Sequence, residues 1–277
     1  MIICRPAAAA FVLSLLAASH LSAQAPDGNA MLRAAGVEVG RDGAEGAFDS
    51  GQIVSPPVPG AAFSSLIVGM GPIGPKTRVK NAYAFGVLAG RSGRNVPVGG
   101  AAGAGVTLLQ MITAEERSVR IAGTRVAGFV FAAPIDGKAA PQRPNGLVEA
   151  VLLALSMQNP DEQAAAMEAT GLLGETAAVP TLTELYRAYR ERNNRPMAGR
   201  ALEALARIGH PQAAPLAQAL ATDGWGDKGD FAGYAAAYAR ERYLQDGSRT
   251  RLDAAKDSKT FGAQVRAYLA ELGQPRP

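Results

Sequence analysis

The chain has 277 residues, with 28 Lys and Arg against 24 Asp and Glu, one Cys and two His. So even a balance excludes the concentrated basic face that nucleic-acid binding requires, and a single cysteine excludes a disulfide framework. Abundant Ala with only 6% aromatic residues favours closely packed helices over sheets.

The N-terminus opens with one positive charge, Arg5, followed by an apolar-to-small run at residues 7–18 and then small residues around Ala23 and Ala25. That order of charge, apolar core and small-residue end predicts a secretory signal over residues 1–23, cut after Ala23. The run is shorter than the roughly 20 residues a membrane span needs, and no later segment is longer. Cys4 precedes the run, which excludes an acylated cysteine, and it leaves with the signal together with Arg5 and His20. The mature chain then has 27 basic and 24 acidic residues, a net charge of +3, and no cysteine. It is expected in the periplasm or outside the cell, stabilised by packing alone.

Residues 24–60 contain Gly, Ser and several prolines and read as a loosely ordered leader. Beyond them the chain shows an internal period. Residues 173–180 (LGETAAVP) align with 208–215 (IGHPQAAP), so that Gly174 and Gly209, Pro180 and Pro215, and Leu185 and Leu220 all share an offset of 35. Repeats of 20–50 residues indicate stacked supersecondary units. Within 179–189, Val179, Leu182, Leu185, Tyr186 and Tyr189 recur at helical spacing, with Pro180 tolerated in the opening turn.

Residues 118–130 (SVRIAGTRVAGFV) and 204–209 (ALARIG), with weaker copies at 84–89 (AFGVLA) and 169–174 (ATGLLG), resemble the HEAT family. The likeness is greatest to the short HEAT repeats of bilin-lyase-like proteins, whose second helix reads V-R-x-x-A-x-x-A-L-G-x-I-G. The landmarks Gly86, Gly128, Gly171 and Ala206 are 42, 43 and 35 residues apart. Small residues at Ala84, Ala169 and Ala204, with Val126 in the fourth copy, and at the landmarks themselves let neighbouring helices approach, while Leu88, Val130, Leu173 and Ile208 fill the core. The resemblance implies an all-α solenoid of the HEAT/armadillo type, an α-α superhelix of about five helical pairs. These are expected at 61–91, 101–131, 146–174, 177–209 and 211–243, with a terminal helix near 260–272. The proline-rich stretch 132–145 is expected to act as a linker loop dividing the array into an N-terminal block, 61–131, and a C-terminal block, 146–277.

Few residue groups suggest chemistry. Residues 100–107 (GAAGAGVT) have the glycine spacing of a phosphate loop, but Val106 stands where its lysine belongs. Asp223, Asp227 and Asp230 could offer oxygens to a cation, although their spacing fits no EF-hand. His210, the only histidine after export, has no partner set for a metal or a triad. No cofactor is expected. The basic stretch 186–195 (YRAYRERNNR) places Arg187, Arg190, Arg192 and Arg195 near one helix end, with Arg200 and Arg207 on the next helix.

In the HEAT family, ligands generally lie along the inner face formed by the second helices. That implies Arg125, Glu168 and Glu203, which share one motif position, as partner-binding candidates beside the arginines. The expected function is therefore an exported, non-catalytic scaffold that binds a protein partner, one bearing an acidic patch. Alternatives are a lyase-like enzyme related to the bilin-lyase relatives, and a structural subunit of an envelope complex.

Overall fold

The computed structural model describes residues 26–52, 54, 58–97, 100–134, 141–211, 213–222 and 224–273; the expected signal, residues 1–23, lies outside them. Among the described residues there are helices and no strands. Five helix–turn–helix pairs follow one another: α3 (Gly60–Gly69) with α4 (Pro75–Ala89), α5 (Gly100–Ile112) with α6 (Arg117–Val130), α7 (Leu147–Leu155) with α8 (Pro160–Leu173), α9 (Val179–Glu191) with α10 (Arg195–Ile208), and α11 (Ala213–Thr222) with α12 (Phe231–Leu244). Two short helices, α1 (Gly28–Ala34) and α2 (Gly43–Asp49), precede them, and α13 (Arg249–Ala255) and α14 (Gly262–Leu272) follow.

Local sequence explains where the second helices start and stop. Asn159 caps α8 by accepting from the amides of Asp161 and Glu162, Asn194 caps α10 by accepting from Met197, and Asp230 caps α12 by accepting from Gly233. Each satisfies amides that lack a partner inside the helix. Gly174 and Gly209 end α8 and α10 with φ of 72° and 78°, a conformation that costs glycine nothing.

The second helices stack in the order α4, α6, α8, α10, α12, with the first helices in a parallel layer behind them. Their spacing is set by glycine meeting alanine. A Cβ added at Gly128 would lie 2.5 Å from the Cα of Ala169, and one at Gly171 would lie 2.8 Å from the Cα of Ala204. At Gly86 an added Cβ would meet the Phe48 ring of α2 at 2.8 Å and, less closely, the Val126 side chain at 3.4 Å. Each landmark thus meets the residue two positions before the next landmark. The last step departs from the motif. Ala206 is buried, but α10 approaches α12 through Gly199, two turns earlier, whose added Cβ would lie 2.9 Å from the Cα of Ala232.

Three sequence expectations are corrected. Residues 28–34 and 43–49 are not a loose leader but α1 and α2, packed on α4 through Leu32, Ala44 and Ala47. Gly28 donates to the buried Asn81 side chain, which itself donates to the Gly69 carbonyl. Tertiary packing overrides a local sequence too rich in glycine to form helices alone. Second, the 132–145 stretch does not divide the array. The α6–α8 contact runs through Gly128, Ala133 donates to the Leu172 carbonyl at 2.7 Å, and Arg143 reaches Glu175 and the Leu173 carbonyl. The two apolar clusters meet inside the third pair, where Ala169 and Leu173 belong to one and Ala166 and Met167 to the other. Third, the terminal helix expected near 260–272 does not follow the fifth pair directly: α13 lies between them, in a stretch for which no element is expected.

The glycine contacts give a two-sided test. Gly128→Ala should destabilise the protein by ~1–3 kcal/mol in urea unfolding, because backbone must move. Gly103→Ala, in α5 with nothing within 4 Å of the added atom, should instead stabilise it by ~0.5–1 kcal/mol. Equal effects at the two sites would refute the close approach.

Candidate functional site

The face of the second helices that points away from the first-helix layer carries a cavity of about 550 Å³. Residues of α6, α8 and α10 line it, with Phe231 of α12 beside them; α2 borders it on one side and α14 on the other. Both borders are anchored. Phe48 of α2 packs against Tyr83 at 5.3 Å and Phe129 at 5.1 Å between ring centres, and the Tyr268 ring of α14 stacks on Tyr238 at 4.5 Å.

Because the glycine contacts superimpose equivalent positions, the residue just before each contact residue falls on one row. Arg125, Glu168 and Glu203 occupy it. Arg125 donates from Nε to Glu168 Oε2 at 2.9 Å and from Nη2 to Asp49 Oδ1 at 2.6 Å. Arg207 pairs with Glu203 at 2.8 Å, one helical turn away, and with Glu271 of α14 at 3.2 Å. Glu271 also accepts from Arg91 at 2.8 Å and from the Tyr238 hydroxyl at 2.6 Å. Charges therefore run from the N-terminal helix α2 to the C-terminal helix α14, and Arg91 with Glu271 joins the first pair to the last helix across 180 residues of sequence.

Burial and charge compete at each rung. For Glu168 burial favours the neutral form, but Arg125, Arg200 and Arg207 together outweigh it and hold its carboxyl at about 2. Glu271 follows the same balance: burial pushes it up, while Arg207, Arg91 and Tyr238 bring it below the usual carboxylate range. Glu203 goes the other way. Burial dominates over Arg207 and Arg200, and the neighbouring Glu168 and Glu271 add repulsion, so its carboxyl is raised.

The arginines singled out from sequence divide into two sets. Arg195 grips Asp230 at 2.7 and 2.9 Å, Arg200 lies over the Phe231 ring at 4.4 Å, and Arg207 is buried between two glutamates. Arg190 donates to the Tyr186 hydroxyl at 2.8 Å. Arg187 and Arg192 are exposed and make no hydrogen bond or ion pair with a described residue. Of the acidic loop, Asp230 is the helix cap held by Arg195, Asp227 faces Arg240 and Arg251 at 3.6 and 3.7 Å, and Asp223 lies outside the described residues. Residues 100–105 open α5 as a helix, where Gly105 makes room for Pro144 and the Phe131 ring. His210 accepts at its carbonyl from Tyr243 in the turn between pairs.

Sequence reasoning missed Arg91, Phe48, Phe231 and Glu271. Each reaches the cavity from outside the repeat motif or from its edge, so no repeat period marks them.

The fold defines the chain as an α-α superhelix built of helical pairs. The family model for HEAT repeats matches residues 148–230, so that stretch of the chain is similar to HEAT repeats. No curated protein matches the sequence.

Acid titration tests the charge row. Glu168 has a folded pKa of about 2 against an ordinary 4.5, so its stabilisation is complete above pH 4.5 and lost as pH falls toward 2. Glu271 contributes in the same direction, and Glu203, being raised, opposes both. Stability should fall between pH 5 and pH 2, with Glu168 supplying about 2–3 kcal/mol of the drop. Glu168→Gln should be less stable at pH 7 and flatter in acid; an acid limb as steep as that of the wild type would exclude this assignment.

Proposed function

We propose that the protein is an exported, non-catalytic HEAT-repeat scaffold that holds a protein partner bearing an acidic patch. HEAT repeats generally mediate protein interactions, which gives the coarse class. The observation carrying the finer reading is the split among the arginines. Arg195 and Arg207 on α10 are consumed by the fold, whereas Arg187 and Arg192 stand exposed beside the α9–α10 turn, held by no carboxylate among the described residues. Arginine's planar fork meets carboxylates in two bonds at once, and an unpaired pair of them on a rigid helix end favours an acidic partner. A non-catalytic role is favoured by Glu168 and Glu271 of the charge row, whose carboxylates are held ionised by arginines. Export rests on the charge, apolar run and small-residue end of residues 1–23.

Partner recovery by the wild type and by the Arg187→Glu/Arg192→Glu protein, each at low and high salt, tests the contact. The double variant should keep its stability within ~0.5 kcal/mol and recover less partner at low salt, while added salt should weaken the wild type toward it. Equal recovery in all four conditions would return both arginines to plain solvated surface. Mass spectrometry of the mature protein should find its first residue at Gln24 or within two residues of it, and an intact Met1 would end the export reading.

A further inference from the structure

Arg200 differs from the other arginines of the inner cavity. Arg91, Arg125 and Arg207 each donate to a carboxylate of the fold. The Arg200 guanidinium carbon lies 4.4 Å from the centre of the Phe231 ring, and its nearest carboxylate oxygen, on Glu203, is 3.7 Å away, an ion pair too long for a hydrogen bond. Its side chain is 30% exposed and lines the cavity. A guanidinium carries five N–H donors in a rigid plane, and stacking on an aromatic ring fixes that plane without using them.

Among the described residues that line the cavity, Arg91, Arg125 and Arg207 are matched by Asp49, Glu168 and Glu271, and the buried Glu203 beside Arg200 and Arg207 brings the charges level. What sets Arg200 apart is therefore not excess charge but guanidinium donors that no described side chain takes in a hydrogen bond. The wall also carries apolar side chains, with Phe129 and Phe261 half-buried and Leu172 5% exposed, alongside the polar Thr260 and Gln264. A space of about 550 Å³ falls within the range of small-ligand pockets. A folded partner, which needs roughly 800 Å² on each side, is kept out by α2 and α14.

We propose that this cavity binds a single carboxylate carried on an aromatic or large apolar group, with Arg200 as the carboxylate anchor and Phe129, Leu172 and Phe261 holding the apolar part. Two sources share that chemistry: the C-terminal residue of a polypeptide, and a free aromatic carboxylic acid. A phosphate is disfavoured, since its second charge would meet Glu168 without a further free cation. The site is separate from the α9 edge, so failure of partner capture there leaves this proposal standing.

Titration calorimetry on the purified protein tests it with three probes: N-acetyl-L-phenylalanine, 3-phenylpropionate and N-acetyl-L-phenylalaninamide. Both acids should bind, and the amide, lacking the charge, should bind at least about ten-fold more weakly. Tighter binding of N-acetyl-L-phenylalanine would assign the site to chain termini, and tighter binding of 3-phenylpropionate to free acids. Arg200→Gln should weaken both acids at least about ten-fold, Arg200→Lys should fall between because it keeps charge but loses the fork, and Arg187→Glu should change nothing. No heat with any probe, or acid and amide binding alike to the wild type, would overturn the proposal without recourse to any variant. Unchanged acid binding by a folded Arg200→Gln protein would also overturn it.

Discussion

Two helices approach no more closely than their smallest facing residues allow, and in this protein that limit is set by glycine on one helix and the Cα of alanine on the next. At Gly128 and Gly171 the gap leaves no room for a methyl group. Such contacts do more than bring helices near. They lock the register of each second helix against the following one, because a shift of one residue would put a side chain where only hydrogen fits. With register fixed, residues equivalent in the repeat are also equivalent in space.

The charge row is a consequence of that register. Arg125, Glu168 and Glu203 each precede a contact residue by one position, so they are delivered to the same height on successive helices. Two of the three are carboxylates on neighbouring rungs, an arrangement that would repel if left alone. Arg200 and Arg207, one turn to either side of Glu203, supply the missing charge, and α14 completes the row by lowering Glu271 between Arg91 and Arg207. Ion pairs this buried contribute little net stability against hydrophobic replacements, yet are strongly destabilising when one partner is removed. Their effect here is to specify: at the two borders of the inner face Asp49 of α2 meets Arg125 and Glu271 of α14 meets Arg91 and Arg207.

What could be read from the sequence follows the same division. The third and fourth pairs were the most legible because α8 and α10 each carry local signals, an asparagine cap, a proline in the first turn and a glycine at the end, with the caps and end glycines copied at an offset of 35. Gly128 and Gly171 were legible as close-approach residues from their place in the repeat motif. Gly199 was not, since it sits two turns before the expected landmark and only the position of Ala232 reveals its use. Helices α1 and α2 were illegible because Gly28, Gly43 and Gly46 weaken local helix preference; their stability comes from burying Leu32, Ala44 and Ala47 on α4, which no local window contains. At the site, Arg125, Glu168 and Glu203 could be found by motif position, but not that they would face one another, and Arg91 with Glu271 is a pairing across nearly the whole chain.

The inner face of a repeat array is open when its terminal helices continue the stack, and closes when they fold back over it. Here both ends fold back. Phe48 seats α2 against α4 and α6, while Tyr268 on Tyr238 and Glu271 on Arg207 seat α14 against α10 and α12. A curved surface suited to a broad partner is thereby reduced to a cup with charged and aromatic walls. Surfaces for large partners must then lie on the outside, where exposed cations such as Arg187 and Arg192 remain, and the cup is left to something small. The two proposed recognition sites are thus separated by the same pair of terminal helices, and the ion pairs that hold those helices down leave Arg200 with its donors.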